Sequence, residues 1–130
     1  MNKKRIIIAV TILYVLLITL LSVVNMSGNI ESVTIGHLDK LVHFCFYFSM
    51  NLLLMLAVMV CDGLKKARSL WLVTFASILY GIVIEVVQIY VGRDFDFMDI
   101  SANSIGAIAA LFLLRRTPVA NFFKRHLQLL

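Results

Sequence analysis

The sequence predicts an all-α membrane protein, a bundle of four transmembrane helices with both termini in the cytoplasm. Three observations carry that prediction. The 130 residues are 62% hydrophobic with mean hydropathy +0.98, far above the roughly one-half apolar share of a soluble domain. Four apolar runs reach or approach the roughly 18 to 20 residues that cross a hydrocarbon core as a helix. The basic residues gather in three places, and those places share one side of a four-helix topology. No strand-like alternation suggests a β-barrel.

The first run spans 6–24 and follows Lys3, Lys4 and Arg5, as in a secretory signal. Its 19 apolar residues exceed the roughly 7 to 15 of a signal core, and "NMSGN" behind it offers no cleavage pattern, so a retained first helix is expected. The second helix is expected over 41–60, the third over 69–91 and the fourth over 97–114. The connection "CDGLKKAR" is short, making helices two and three antiparallel neighbours. The connection "GRDFDF" is shorter still and ties helix three to helix four. Pro118 ends the last helix, and "NFFKRHLQLL" reads as an interfacial piece of a cytoplasmic tail over 115–130. The whole chain, 1–130, reads as one domain.

Net charge +5 invites a nucleic-acid reading, which the distribution removes. Ten of twelve basic residues lie at the N-terminus, in the second connection or in the tail, leaving Lys40 and Arg93 on the other side. The positive-inside rule makes the crowded side cytoplasmic. Glu31, Asp39, Glu85, Asp94, Asp96 and Asp99 fall on or toward the outer side. The expected partner is the lipid bilayer, with no nucleic acid, and the sequence does not define an oligomeric state. Cys45 and Cys61 are about 24 Å apart along one helix, too far for a disulfide, and are expected to be free and buried.

Polar residues inside the apolar runs are the informative ones. Asp39, His43 and Tyr47 recur every four residues and share a helix face, which Asn51 extends inward. Thr74, Ser77, Gly81, Glu85 and Gln88 form a second stripe, and Asp99, Asn103, Gly106 and Ala110 a third. Small residues on such stripes let membrane helices approach, and polar ones bond across the interface, so the three stripes are expected to face one another. His43, Glu85 and Asp99 lie one to two turns beneath the outer ends of their helices. A lone ion in hydrocarbon costs several kcal/mol, so a shared polar pocket with Lys40 and Arg93 is expected.

Within that pocket, His43, Glu85 and Asp99 are the candidate acid/base cluster. Asp39, Lys40, Tyr47, Gln88, Arg93 and Asn103 are candidate binding residues, Lys40 and Arg93 suiting a phosphate or carboxylate. Each has a plainer reading: His43 satisfied by Tyr47, Asp99 or a carbonyl, Glu85 paired with Arg93, Asp99 capping helix four, Asn103 packing between helices. No metal is expected, since one histidine stands in the cluster and zinc-type spacing is missing; no cofactor motif and no serine-nucleophile elbow occurs.

The blocks "DKLVHFCFY", "IEVVQ" and "GRDFDFMDISANSIGA", in that order over about Asp39 to Leu114, resemble the VanZ-like family. The resemblance implies a small bacterial membrane protein of the cell envelope, with a namesake linked to low-level teicoplanin resistance. It carries no settled reaction, and whether this is an enzyme stays open. Two functions fit the pocket. One acts on or binds the headgroup of a lipid or a lipid-linked wall precursor, in the bacterial cytoplasmic membrane. The other is a non-catalytic module whose polar network holds the bundle and which works by partner binding or masking of surface targets.

Overall fold

The computed structural model describes residues 3–23, 36–62 and 67–116. They form four helices: α1 Lys3–Val23, α2 Gly36–Asp62, α3 Ala67–Tyr90 and α4 Phe97–Arg115. Each is long and apolar enough to cross a membrane. The first expected loop, most of the connection between α2 and α3, and the tail beyond Arg116 lie outside the described residues.

Three helices keep close to the expected bounds, and α2 does not. It starts at Gly36 rather than 41, taking in the polar "GHLDK". An apolar run marks where hydrocarbon begins, whereas a helix continues for as long as its backbone hydrogen bonds are favoured. Asp39 in the first turn also suits the positive helix N-terminus.

The packing is centred on α2, which touches α1, α3 and α4 and lies most extensively against α4. That closeness is a backbone contact. A Cβ at Gly106 would stand 2.4 Å from the Phe44 carbonyl oxygen and 3.1 Å from the Phe48 nitrogen, so only glycine permits the approach. One apolar core, Met55, Met59, Ala110, Leu111 and Leu114, fills the end of the bundle that holds the C-terminus of α4. A second, Ile18, Tyr47 and Met50, seats α1.

At mid-bundle Asn51 joins three helices. Its Nδ2 donates to Thr74 Oγ1 (3.1 Å) and to the Ala107 carbonyl (2.6 Å), and its Oδ1 accepts from Ser77 Oγ (3.0 Å). Both donor hydrogens and the acceptor are used, as a fully buried amide requires. Thr19 and Tyr80 bond through their hydroxyls and fix α1 to α3. Outward, Leu13, Leu16, Leu20, Leu72 and Phe75 are more than half exposed, the surface of helices suited to a hydrocarbon surround. Cys45 and Cys61 are exposed on that surface. The expectation of buried thiols is therefore corrected: a thiol behaves as a small hydrophobe, and an apolar surround accepts it as readily as a core does.

Candidate functional site

The short connection 91–96 builds one end of the bundle. α3 stops in a glycine-capped turn: Arg93 N–H donates to the Gln88 carbonyl (3.0 Å) and Gly92 N–H to that of Ile89 (3.2 Å), with Gly92 at φ 83°. This is the bond pair of a Schellman motif, and its left-handed position favours glycine. Three residues later Asp96 caps α4, its Oδ1 accepting the Met98 N–H at 2.7 Å. Capping thus falls to Asp96, not to Asp99, which corrects the plainer reading of Asp99. The signal was an Asp directly before an apolar run with another acid three residues on.

Freed from capping, Asp99 turns to α2. Lys40 Nζ lies 2.9 Å from its Oδ1, as an ion pair without hydrogen-bond geometry, and 3.8 Å from Asp39 Oδ2. Lys40 also makes a hydrogen-bonded ion pair with Asp96 Oδ2, locking the α2 start to the α4 cap. Asp96 stands outside the apolar spans, and the Lys40 ammonium, helped by the Met98 N–H, holds its carboxyl below the usual aspartate value of 3.8.

His43 sits one turn deeper and is 8% exposed. Its Nδ1 is 3.1 Å from Asn103 Oδ1. Its Nε2 faces Asp99 Oδ2 at 3.5 Å and Asp39 Oδ1 at 3.9 Å. Asp39, Lys40, His43, Asp99 and Asn103 are therefore assembled from two helices into one cluster. The i, i+4 spacing on α2 and on α4 supplies two residues from each helix, and the Gly106 contact sets the distance between the helices.

Glu85 joins the cluster indirectly. Its Oε1 accepts the Asp96 backbone N–H at 2.9 Å, and its Oε2 is buried with no hydrogen-bond partner among the described residues. Arg93 forms no ion pair with Glu85 among the described residues; its Nη1 donates to the Ser22 carbonyl at 3.2 Å. Gln88 Nε2 donates to the same oxygen at 2.9 Å. These two residues tie the last turn of α1 to the end of α3, and among the described residues Arg93 makes no ion pair with the carboxylates that Lys40 contacts. Ser22 was invisible to sequence reasoning because a backbone carbonyl has no residue-type signature. Tyr47 lies below His43, 1% exposed, its hydroxyl without a hydrogen-bond partner among the described residues and its ring under Gly81.

Among the described residues Asp39, His43 and Asp99 also form a group of metal-type donors, with one ligand atom from each lying within 4.8 Å of the others. Chemically the cluster offers an imidazole fixed at one nitrogen, three carboxylates and one ammonium. Among known families, the family model VanZ/LLP1 matches residues 6–121, a range that includes all of these residues. No curated protein and no solved structure matches the chain. With most of its length matched, the chain belongs to the VanZ/LLP1 family.

Proposed function

We propose that this VanZ/LLP1 family member binds or acts on the headgroup of a lipid or lipid-linked wall precursor, using the cluster at the 91–96 end of the bundle. Orientation follows from charge. Lys4, Arg5, Arg68, Arg115 and Arg116 lie at the opposite end of the four helices from Lys40, so the positive-inside rule puts the termini in the cytoplasm and the cluster toward the outer face of the cytoplasmic membrane.

The observation that carries the reading is depth combined with composition. His43 and Asp99 are nearly buried, while Asp39 and Asp96 on the same cluster keep 48% and 38% of their side chains exposed. Such a gradient, from open carboxylates to an enclosed imidazole within two turns, matches the depth of a headgroup rather than that of a soluble metabolite or of the bilayer centre. His43 and Asp99 are the acid/base pair in this reading. Glu85 holds the Asp96 backbone, and Gln88 and Arg93 keep α1 closed against α3. The link to glycopeptide resistance that the family resemblance implies agrees with such a location, since the targets of those drugs lie at the outer surface.

The test is loss of function in His43→Asn, with Glu85→Gln, which keeps a side-chain oxygen to accept the Asp96 N–H, as the control that should retain it. Loss of the envelope phenotype in His43→Asn at unchanged protein level and melting, together with loss of a copurifying lipid species, supports the reading. Disappearance of the protein from the membrane in both variants favours a structural network and a partner-binding module instead.

A further inference from the structure

The cluster has a second property that proton transfer does not use. Asn103 presents Oδ1, an acceptor, to His43 Nδ1 at 3.1 Å, so the ring proton belongs on Nδ1. The other ring nitrogen, Nε2, faces Asp99 Oδ2 and Asp39 Oδ1, 3.5 and 3.9 Å away. One imidazole nitrogen and two carboxylate oxygens so grouped are the donor types that ligate a divalent cation.

The remaining oxygens are already engaged. Lys40 takes Asp99 Oδ1 at 2.9 Å and is nearest Asp39 through Oδ2 at 3.8 Å, leaving the other oxygen of each carboxylate on the His43 side. No hydrogen bond is made to those two oxygens or by Nε2 among the described residues, although the His43 and Asp99 side chains are only 10% and 5% exposed. A ring nitrogen held by a carbonyl behind it, and carboxylates oriented by hydrogen bonds or charge behind them, are what surrounds ligands at metal centres.

We propose that Asp39, His43 and Asp99 bind a Zn²⁺ ion, through one imidazole nitrogen and one oxygen from each carboxylate. The proposal rests on the reading of this cluster as the working site. Tetrahedral ligands about 2.0–2.1 Å from zinc stand about 3.4 Å apart; the two imidazole–carboxylate separations, 3.5 and 3.9 Å, exceed that by tenths of an ångström, and all three ligand atoms lie within 4.8 Å of one another, so the exposed Asp39 carboxylate must swing inward by up to about 1.4 Å to complete the set. One imidazole with two carboxylates is borderline-hard, which suits zinc better than the all-oxygen shells of Ca²⁺ or Mg²⁺. Three protein ligands leave a fourth position for water or a headgroup oxygen. Asp39 is the most open ligand and Asp99 the most enclosed, so the ion enters from the exposed side. The sequence expectation of no metal rested on the single histidine of the cluster and on the missing zinc-type spacing; here two carboxylates stand in place of further histidines, and the donors come from two helices.

The test uses the full chain in detergent, stripped with chelator and then equilibrated with Zn²⁺, with metal content measured by mass spectrometry. A parallel titration with Co²⁺ reads the visible absorption of a four-coordinate site. Expected are about one zinc per chain and an affinity lowered at least about tenfold in Asp39→Asn, His43→Asn and Asp99→Asn. Asn103→Ala should weaken binding by about 10–100-fold, because the ring loses its orienting bond. If Asp99→Asn fails to fold, Asp39→Asn decides, since that side chain is 48% exposed. Substoichiometric zinc on folded wild type, or equal affinity in wild type, Asp39→Asn and His43→Asn, overturns the proposal. An absent metal alongside an intact His43 phenotype removes the metal and leaves the headgroup reading; bound zinc with no phenotype on losing His43 does the reverse.

Discussion

Replacing Gly106 by alanine should do more damage than any other addition of a single methyl to the described helices, and the structure says why. The new Cβ would meet the Phe44 carbonyl oxygen at 2.4 Å. Carbon and oxygen settle at about 3.3 Å or more, so α4 must retreat by roughly 0.9 Å, the difference of the two values. Neither the carbonyl nor the Phe48 nitrogen behind it is the movable end of a side chain; both belong to the α2 backbone. Overpacking of this sort costs about 1–3 kcal/mol. The same shift acts three residues along α4 from Asn103, whose 3.1 Å bond to His43 has only tenths of an ångström before it exceeds hydrogen-bonding range. Gly81→Ala is the control. Its Cβ would meet the Tyr47 ring at 3.0 and 3.3 Å and Asn103 Cβ at 3.4 Å, side-chain contacts that need a few tenths of an ångström rather than a backbone retreat, so the cost should be smaller, about 1 kcal/mol. The assay is unfolding free energy in mixed micelles for both variants, with the His43 ring resonances followed in parallel. Gly106→Ala within about 0.5 kcal/mol of wild type, or less harmful than Gly81→Ala, would refute the backbone-contact argument.

Two further predictions concern the ionic groups around the cluster. Lys40→Met should destabilise by about 1–3 kcal/mol, because Asp99 is 5% exposed and loses its nearest cation; the figure is kept below that of a fully buried pair since Lys40 itself is 29% exposed. Adding Asp99→Asn should restore most of the loss, and a double-mutant cycle by chemical unfolding that yields no coupling would contradict the pairing. Asp96 gives the pH dependence. Its carboxyl titrates below 3.8 in the folded chain, so its pairing contributes fully above 3.8 and fades as pH falls through the lower folded value. Melting temperature followed downward through that window should drop more steeply in wild type than in Asp96→Asn; parallel curves would exclude the Lys40 and Asp96 contact as the cause.

The four helices were legible because bilayer-length helices are specified by a simple rule, apolar length. The stripes were legible too. Period-four spacing placed His43, Asn103, Glu85 and Asn51 on inward faces, and all four are buried. What could not be read was direction within a face. Glu85 and Arg93 are eight residues apart, and sequence offers their pairing as the plain choice. The glycine turn at Gly92 instead carries Arg93 toward α1, where it shares the Ser22 carbonyl with Gln88. Asp96 was missed as a site residue for a related reason. Its importance comes from two partners on different helices, Lys40 on α2 and Glu85 on α3, and neither is near it in sequence.

This division has a chemical consequence for the cluster. Had Arg93 paired with Glu85, the site would hold two cations against its carboxylates and would favour an anion. Among the described residues Lys40 is the cation in ion-pair contact with Asp39, Asp96 and Asp99, so the balance within that group is acidic. An acidic recess lined by a tautomer-fixed imidazole attracts a cation first, and a phosphate reaches it most readily as the partner of that cation. If both the proposed function and the proposed ion hold, a phosphate-bearing lipid headgroup would be bound through the ion rather than through an arginine clamp. Arg93→Lys, which keeps the charge but changes the donor geometry at Ser22, should accordingly loosen α1 while leaving Zn²⁺ affinity within about threefold of wild type. A collapse of zinc affinity in that variant, with α1 still seated, would place Arg93 in the site after all and reverse the order of binding argued here.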